Sequence, residues 1–246
     1  MNQVDDPAEL TGESRERYVR AMFDRIATPY DRLNRLISLG RDEAWRREAL
    51  DMAGVGPGAR VVDLGTGTGD LYLQLRERVG PTGAVIGIDL SPNMLEIARR
   101  KAELRPEGPA IDLREGNAQT TGLADASVDF ATMAWVLRNV GDRRAAYAEL
   151  RRILRPGGRF VCLDTSRPDF APARWGSALY CRGVMPVIVL AAGGDMDAYR
   201  YLTSSTARFP MRRELENEMR DAGLVNVSSR PFCLGSIAAH VAENPA

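Results

Sequence analysis

Val61-Val62-Asp63-Leu64-Gly65-Thr66-Gly67-Thr68-Gly69-Asp70 is the stretch that decides the fold, read together with Asp89 at the end of the next apolar run. An apolar strand, a glycine turn, a helix, a second strand and an acidic tip describe a nucleoside-binding crossover. Glycine gives the turn positive φ and lets a ligand approach the backbone closely. The acidic tip suits ribose hydroxyls. A dinucleotide fingerprint G-x-G-x-x-G starting at Gly65 and Gly67 requires glycine at position 70. Asp70 stands there instead, and the third glycine, Gly69, comes one residue early. A carboxylate at that helix N-terminus repels a pyrophosphate, which would otherwise take the free amides and the dipole. A ligand with adenosine and a cationic tail fits better, and S-adenosylmethionine is such a ligand. The alternative is a glycine turn that only lets a helix pack.

Working outward, strands and helices alternate. Strands are expected at 60–64, 84–89, 110–115, 128–134 and 158–164, and helices at 70–79, 92–104 and 142–154. Ser91-Pro92 is a helix start, with serine as cap and proline at the first position. Arg155-Pro156-Gly157-Gly158 reads as a helix stop and turn. Such alternation predicts an α/β fold, with a mostly parallel sheet and helices on both faces. Its ligand belongs at the carboxyl ends of the strands, where Gly65, Asp89 and Asn117 fall. Before this core, residues 1–13 read as a disordered tail. Helices are expected over 14–26, from Tyr30 or Asp31 to Ile37, and over 42–53, together making a helical lid (14–53). The cofactor-binding core runs over 54–168. Residues 169–209 form an apolar insertion covering the substrate, and 210–246 a closing helix and hairpin.

Composition sets limits. A length of 246 residues suits one large domain with appendages, and 33 basic against 33 acidic residues leaves no footprint for nucleic acid. Cys162, Cys181 and Cys233 are widely spaced, so neither a zinc site nor a disulfide framework is signalled, and no metal is expected. The polar, acidic start is unlike a secretory signal, so the cytoplasm is the expected compartment. The longest apolar run, Val184 to Ala192, is well short of the roughly 20 residues that span a bilayer.

Further motifs carry a resemblance. Tyr30-Asp31-x-x-Asn34-x-x-x-Ser38-x-Gly40 closed by Trp45-Arg46, then Leu137-Arg138-Asn139-Val140, then Arg155 to Gly158 with Leu163-Asp164-Thr165-Ser166-Arg167-Pro168 follow in order. Tyr199-Arg200-Tyr201-Leu202, Phe209-Pro210 and Gly235-x-x-Ala238-x-His240 complete the set. From about Phe23 to His240 the chain resembles the ubiquinone/menaquinone-biosynthesis C-methyltransferases, which are class I methyltransferases. The resemblance implies a Rossmann-like fold with a seven-stranded sheet and S-adenosylmethionine as cofactor. Three departures stand out: Asp42 where histidine is usual, Trp135-Val136 where Phe-Gly is usual, and Asp164 where glutamate is usual.

Residue by residue, the resemblance carries cofactor contacts onto Thr68, Asp89, Asn117 and Ala118. A serine contact falls on Ala134. Asp63, Gly65, Gly67 and Asp70 complete the expected cofactor set. Asp89 can accept from two ribose hydroxyls and Asn117 can bond an adenine edge; a turn former after Gly116 is the alternative for Asn117.

The implied reaction methylates a ring carbon of a polyprenylated quinol. That carbon must sit about 3 to 3.5 Å from the methyl group. A phenolic proton with a pKa of about 10 must also leave. His240, the single histidine, is a candidate base, against a packed or surface role. Arg138 stays protonated, so it would orient a water or stabilise a phenolate, against a salt bridge that caps its loop. Asn139 would align ring oxygens. Tyr30, Asp31, Asn34 and Tyr201 are expected around the ring. Trp175, Leu179, Tyr180, Val184, Met185, Val187, Ile188, Val189 and Leu190 offer apolar surface for an isoprenoid tail.

Thr165-Ser166 resembles menaquinone-type members, so demethylmenaquinol is the expected acceptor and 2-polyprenyl-6-methoxy-1,4-benzoquinol the alternative. A nicotinamide oxidoreductase and a non-catalytic subunit of a quinone-synthesis assembly are competing readings. A homodimer, and a transient peripheral contact at the inner face of the membrane, are left open.

Overall fold

The structure is a computed structural model describing residues 7–246. Its strands are β1 (Arg60–Leu64), β2 (Ala84–Asp89), β3 (Asp112–Glu115), β4 (Val128–Ala134), β5 (Leu154–Thr165), β6 (Val225–Phe232) and β7 (Ile237–Glu243). They form one seven-stranded sheet in the order β3-β2-β1-β4-β5-β7-β6. Six strands run in the same direction, β1 to β5 and β6; β7 alone is reversed, pairing antiparallel with both β5 and β6. The chain leaves β1 in one direction through β2 and β3, then returns to β1's other edge as β4. That reversal opens a crevice at the carboxyl ends of β1 and β4.

The helices are α1 (Gly12–Ile37), α2 (Asp42–Ala53), α3 (Asp70–Val79), α4 (Pro92–Glu103), α5 (Arg143–Ile153), α6 (Ala171–Leu179), α7 (Met185–Ala191), α8 (Met196–Arg208) and α9 (Arg212–Asp221). Successive strand residues point to opposite faces, and β1 shows the consequence. Val61 packs with Leu50, Tyr72 and Leu75 of α2 and α3 on one face, while Val62 packs with Tyr147, Leu150 and Leu215 of α5 and α9 on the other. Each such fully buried side chain contributes about 1.5–3 kcal/mol. The rigid core therefore lies directly beneath the crevice.

Three expectations are corrected. Residues 1–6 of the expected tail lie outside the described residues, but Pro7–Glu9 form a 3-10 turn and α1 begins at Gly12. The two expected N-terminal helices are one, running through Pro29. Proline leaves the Arg25 carbonyl without its helical donor, a cost of about 3 kcal/mol in an isolated helix. The helix continues because neighbours hold it on either side of the proline: Asp24 grips the start of α4, and Asp31 meets Thr68 and Lys101. Strand β5 starts at Leu154 and takes Arg155-Pro156-Gly157-Gly158 as an irregularity, shifting register between Val128 and Phe130 of β4. Gly157, at φ +74, donates its N–H to Asn244 there. The insertion itself, whose elements the sequence left unassigned, is helical, with α6 and α7 joined by a π-helical segment, Tyr180–Val184. Among the described residues no helix is long and apolar enough to cross a membrane.

Candidate functional site

The glycine turn is pinned to the tip of β2. Gly65 and Thr66 both donate their N–H to Ile88, at 2.7 and 3.1 Å. Gly65 and Gly67 have φ of +70 and +57, a region that only glycine enters without strain. A Cβ on Gly65 would lie 2.3 Å from Val136 Cγ2, so the turn and the loop after β4 touch backbone to side chain. Asp89 receives the N–H of Gly67 at 2.7 Å and of Ser91 at 2.8 Å. Burial pushes its carboxyl up, against those two bonds. Behind the turn, Asp63 accepts from Thr132 (2.6 Å) and Thr66 (3.1 Å), and burial pushes it up to about 7.

Between this turn and α1 lies a cavity of about 80 Å³. Gly65, Gly67, Asp89, Asn117, Ala118, Ala134 and Asn139 form its floor; Glu16, Val19, Phe23 and Tyr30 of α1 form its roof. Small-molecule pockets generally measure some 300–1,000 Å³, so admitting a ligand requires the α1 roof to give way. The wall suits a nucleoside: glycines that let a ligand approach, a carboxylate for hydroxyls, and a bare acceptor. That acceptor is Asn139 Oδ1, buried without a partner while its Nδ2 donates to the Trp135 carbonyl at 3.1 Å.

Not all of the expected cofactor set meets here. Asp63 lies behind the wall. Thr68 and Asp70 face away, into a separate ionic cleft between α1, α2 and α3. There Thr68 donates to Asp31, Lys101 bridges Asp31 (2.5 Å) and Asp70 (2.7 Å), and Arg46 bridges Asp42 (2.8 Å) and Asp70 (3.3 Å). Asp31, expected at the ring, belongs to this network. Ser38 Oγ donates to Asp42, and that bond with Arg46 holds the Asp42 carboxyl low despite its burial.

Arg138 sits just behind the cavity wall, in a 3-10 turn after β4 (Leu137–Asn139). Its Nη1 donates to Asp164 Oδ1 at 2.7 Å and its backbone N–H to Asp164 Oδ2 at 3.2 Å. Burial opposes the charge, but Asp164, with Tyr30 and Tyr201 nearby, keeps the guanidinium protonated. Its Nε is buried with no partner. Tyr30 bonds Asn34 and feels Arg138, Arg46 and Asp89, so Asn34 meets the cavity only through Tyr30. Tyr201, on α8, packs against Tyr18 at 5.5 Å and lies in the fields of Arg15 and Arg138. Arg15 donates to the Arg138 carbonyl.

His240, expected as the base, is not brought to the cavity. In β7 it pairs across the sheet with Cys162 and Ser229, buried beneath α9, with Nε2 bonded to the Arg212 carbonyl at 3.0 Å. It lines no part of the cavity. The strand register set this, and a motif cannot reveal register. Most of the apolar side chains expected to receive a tail lie on the surface. Only Met185 and Val189 of α7 are buried, whereas Trp175, Leu179, Val184, Val187 and Leu190 face solvent.

Sequence reading missed Glu16, Val19 and Phe23, which reach the site only because α1 folds over it. It also missed Trp135, whose φ of +65 turns the chain at the cavity wall. Its place two residues before Leu137 was a usable signal for Trp135; nothing local marked the three on α1.

The sequence profile of the ubiE/COQ5 methyltransferase family matches residues 11–244. A demethylmenaquinone methyltransferase of Symbiobacterium thermophilum is 38% identical over 234 residues, covering 93% of each chain. One of Bacillus cereus is 35% identical over 233 residues, covering 95% of this chain and 98% of that one. Among solved structures, an S-adenosylmethionine-dependent methyltransferase from Thermotoga maritima, described as a possible histamine N-methyltransferase, superposes with a TM-score of 0.65 at 22% identity. It covers 92% of this chain and 99% of that one, a likeness of fold.

Proposed function

Starting from the fact that the chain belongs to the ubiE/COQ5 methyltransferase family, we propose that it methylates a ring carbon of demethylmenaquinol. The chain is an S-adenosylmethionine-dependent C-methyltransferase of quinone biosynthesis. What supports the acceptor is the name of relatives that match nearly end to end. What supports the place of reaction is the cavity that joins the glycine turn to Asn139, with Arg138 behind it.

The cofactor, when bound, supplies a methyl group on a sulfonium, electrophilic toward carbon. Gly65 and Gly67 would let it approach the backbone, and Asp89, which holds the turn through Gly67, would accept from its ribose hydroxyls. Asn139 Oδ1 accepts from a quinol hydroxyl and so fixes the ring's rotation. Loss of the phenolic proton leaves negative charge on the ring oxygen, which flows into the ring carbon as that carbon takes the methyl group; the carbon's own proton is then lost and the oxygen regains one, restoring the quinol. Arg138, buried and held by Asp164, favours the phenolate through its field. Since Arg138 is always protonated, the phenolic proton leaves to a water that Arg138 orients rather than to His240, which lines no part of the cavity. Tyr30 closes the roof over the ring.

The test is transfer of labelled methyl from S-adenosylmethionine to short-chain demethylmenaquinol and, separately, to a 2-prenyl-6-methoxybenzoquinol. Labelled menaquinol is the expected product. Turnover on the benzoquinol alone would overturn the acceptor, and tight cofactor binding without turnover on either would overturn catalysis.

A further inference from the structure

The helical insertion carries an outward face that the reaction does not use. From α6 through the π segment to α7, Trp175, Leu179, Val187 and Leu190 are 79, 72, 64 and 64% exposed, and Val184 is also exposed. A π turn takes one residue more than an α turn. The only five-residue step in this series, from Leu179 to Val184, spans the π segment Tyr180–Val184. The bulge therefore keeps all five side chains on one stripe. The opposite side is tied down: Ala173, Met185 and Val189 are buried, the Tyr180 hydroxyl donates to the Ile37 carbonyl at 2.7 Å, and Ser177 bonds Ser236 at 3.1 Å.

Those ties bring two turns alongside. Leu39 follows Ile37 and Leu234 precedes Ser236; each is 75% exposed, at φ of +53 and +56. Leucine at positive φ is strained, and strain of that kind marks functional sites. Charge is one-sided as well. Between Asp169 and Asp195 the only charged residues are Arg174 and Arg182, and Arg41 lies close enough to Cys233 to act on its thiol. An exposed apolar stripe on a helix edged by arginine, with no acidic residue along it, matches an interfacial helix on anionic lipid.

We propose that the exposed face of α6, the π segment and α7, with Leu39 and Leu234, docks on the surface of an anionic lipid bilayer. Its use rests on the reading of the acceptor as a prenylated lipid: docking brings the active site to a substrate that stays in the bilayer. The docking itself is tested without any quinol, so either reading can fail alone.

The experiment is flotation of the full chain with phosphatidylcholine vesicles, with and without phosphatidylglycerol. Wild type should float with the anionic vesicles at least about tenfold better than with neutral ones, and Trp175 emission should be quenched by brominated lipid. The variant W175S/L179S/V187S should stay at the bottom while keeping the circular dichroism and urea unfolding midpoint of wild type, which shows it is folded. Arg182→Glu should weaken flotation about threefold or more, and added salt should do the same. Three results would overturn the proposal: wild type remaining at the bottom, equal flotation of wild type and the triple variant, or a dimer in sedimentation that the triple variant dissolves without any flotation. The last would assign the face to a second copy of the chain.

Discussion

The floor and the roof of the cavity are built on opposite principles. Beneath, Val61, Val62, Leu64 and Ile88 are essentially without exposure; Tyr72 and Leu75 of α3 cover the Val61 face, and Tyr147 and Leu150 of α5 cover the other. Above, α1 has 26 residues, of which only Val19, Met22 and Ala27 are buried. It is held by polar ties: Gln119 donates to Glu16, Arg20 bridges Glu115 at 2.6 Å, Ser91 donates to Asp24 at 2.5 Å, and Lys101 bridges Asp31. Apolar burial fixes a shape; half-exposed ion pairs like Arg20–Glu115 contribute about 0–1 kcal/mol each and weaken in salt. The difference suits the division of labour. The floor must hold the glycine turn and Arg138 still, and the roof must open to admit a ligand.

The largest effects should come from the floor. Asp164→Ala leaves the Arg138 guanidinium buried and unpaired, and removing one partner of a buried pair costs about 3–5 kcal/mol. Urea unfolding should show it as a lowered midpoint; a change below about 1 kcal/mol would break the claim that Asp164 anchors the floor. Asp164→Asn should recover part of the stability but less of the turnover, because the field at Arg138 changes. Next is Gly65→Ala. A methyl group 2.3 Å from Val136 Cγ2, on a residue at φ +70, adds strain of about 1–3 kcal/mol. Cofactor affinity by calorimetry should fall about ten- to a hundredfold if the strain is relieved only by moving the turn.

The roof should behave differently. Asp24 accepts from Ser91 Oγ and, at 3.4 Å, from the Asn93 N–H, latching α1 to the start of α4. Asp24→Ala should cost at most about 1 kcal/mol of global stability, yet speed cofactor dissociation about three- to tenfold in stopped flow. Equal losses in both quantities would mean that roof and floor unfold as one unit, which removes the distinction between them.

The same contrast explains what the sequence could tell. Strands β1 and β2 and helices α3 and α4 were legible to within a residue because each is written locally: apolar runs, a glycine turn, and Ser91-Pro92 at a helix start. Six of the nine expected cofactor residues line the cavity because they sit at strand tips, where topology places any ligand. Thr68 and Asp70 do not, since the turn aims alternate side chains at the cleft under α1. Pro29 misled because a proline rule applies to an isolated helix, whereas α1 is held from both sides of it. Glu16 and Phe23 were invisible because their place depends on α1 crossing the crevice, a tertiary fact.

The smallest expected effect concerns His240, and it separates frame from site. Nε2 meets a carbonyl, so it carries the hydrogen, and Nδ1 is buried without a partner. Protonating the ring would put a second N–H where nothing accepts it, and burial accordingly holds its pKa below 6.5. Below about 6.5 the unfolded chain thus binds a proton that the folded chain refuses, and stability falls as pH drops from 6.5 toward the folded value. The limiting slope is about 1.36 kcal/mol per pH unit. His240→Gln removes the titrating group while keeping an N–H for the Arg212 carbonyl. Denaturant midpoints between about pH 5 and 6.5 should then lose up to one proton's worth of slope, and kcat on short-chain quinol should stay within about twofold of wild type. Were kcat to collapse while the pH slope of stability stayed the same, the histidine would belong to the reaction, and the sheet would have to open at β7 for it to get there. Its hydrogen bond to α9 argues that it does not: the ring is spent on joining the sheet to the helix that covers it.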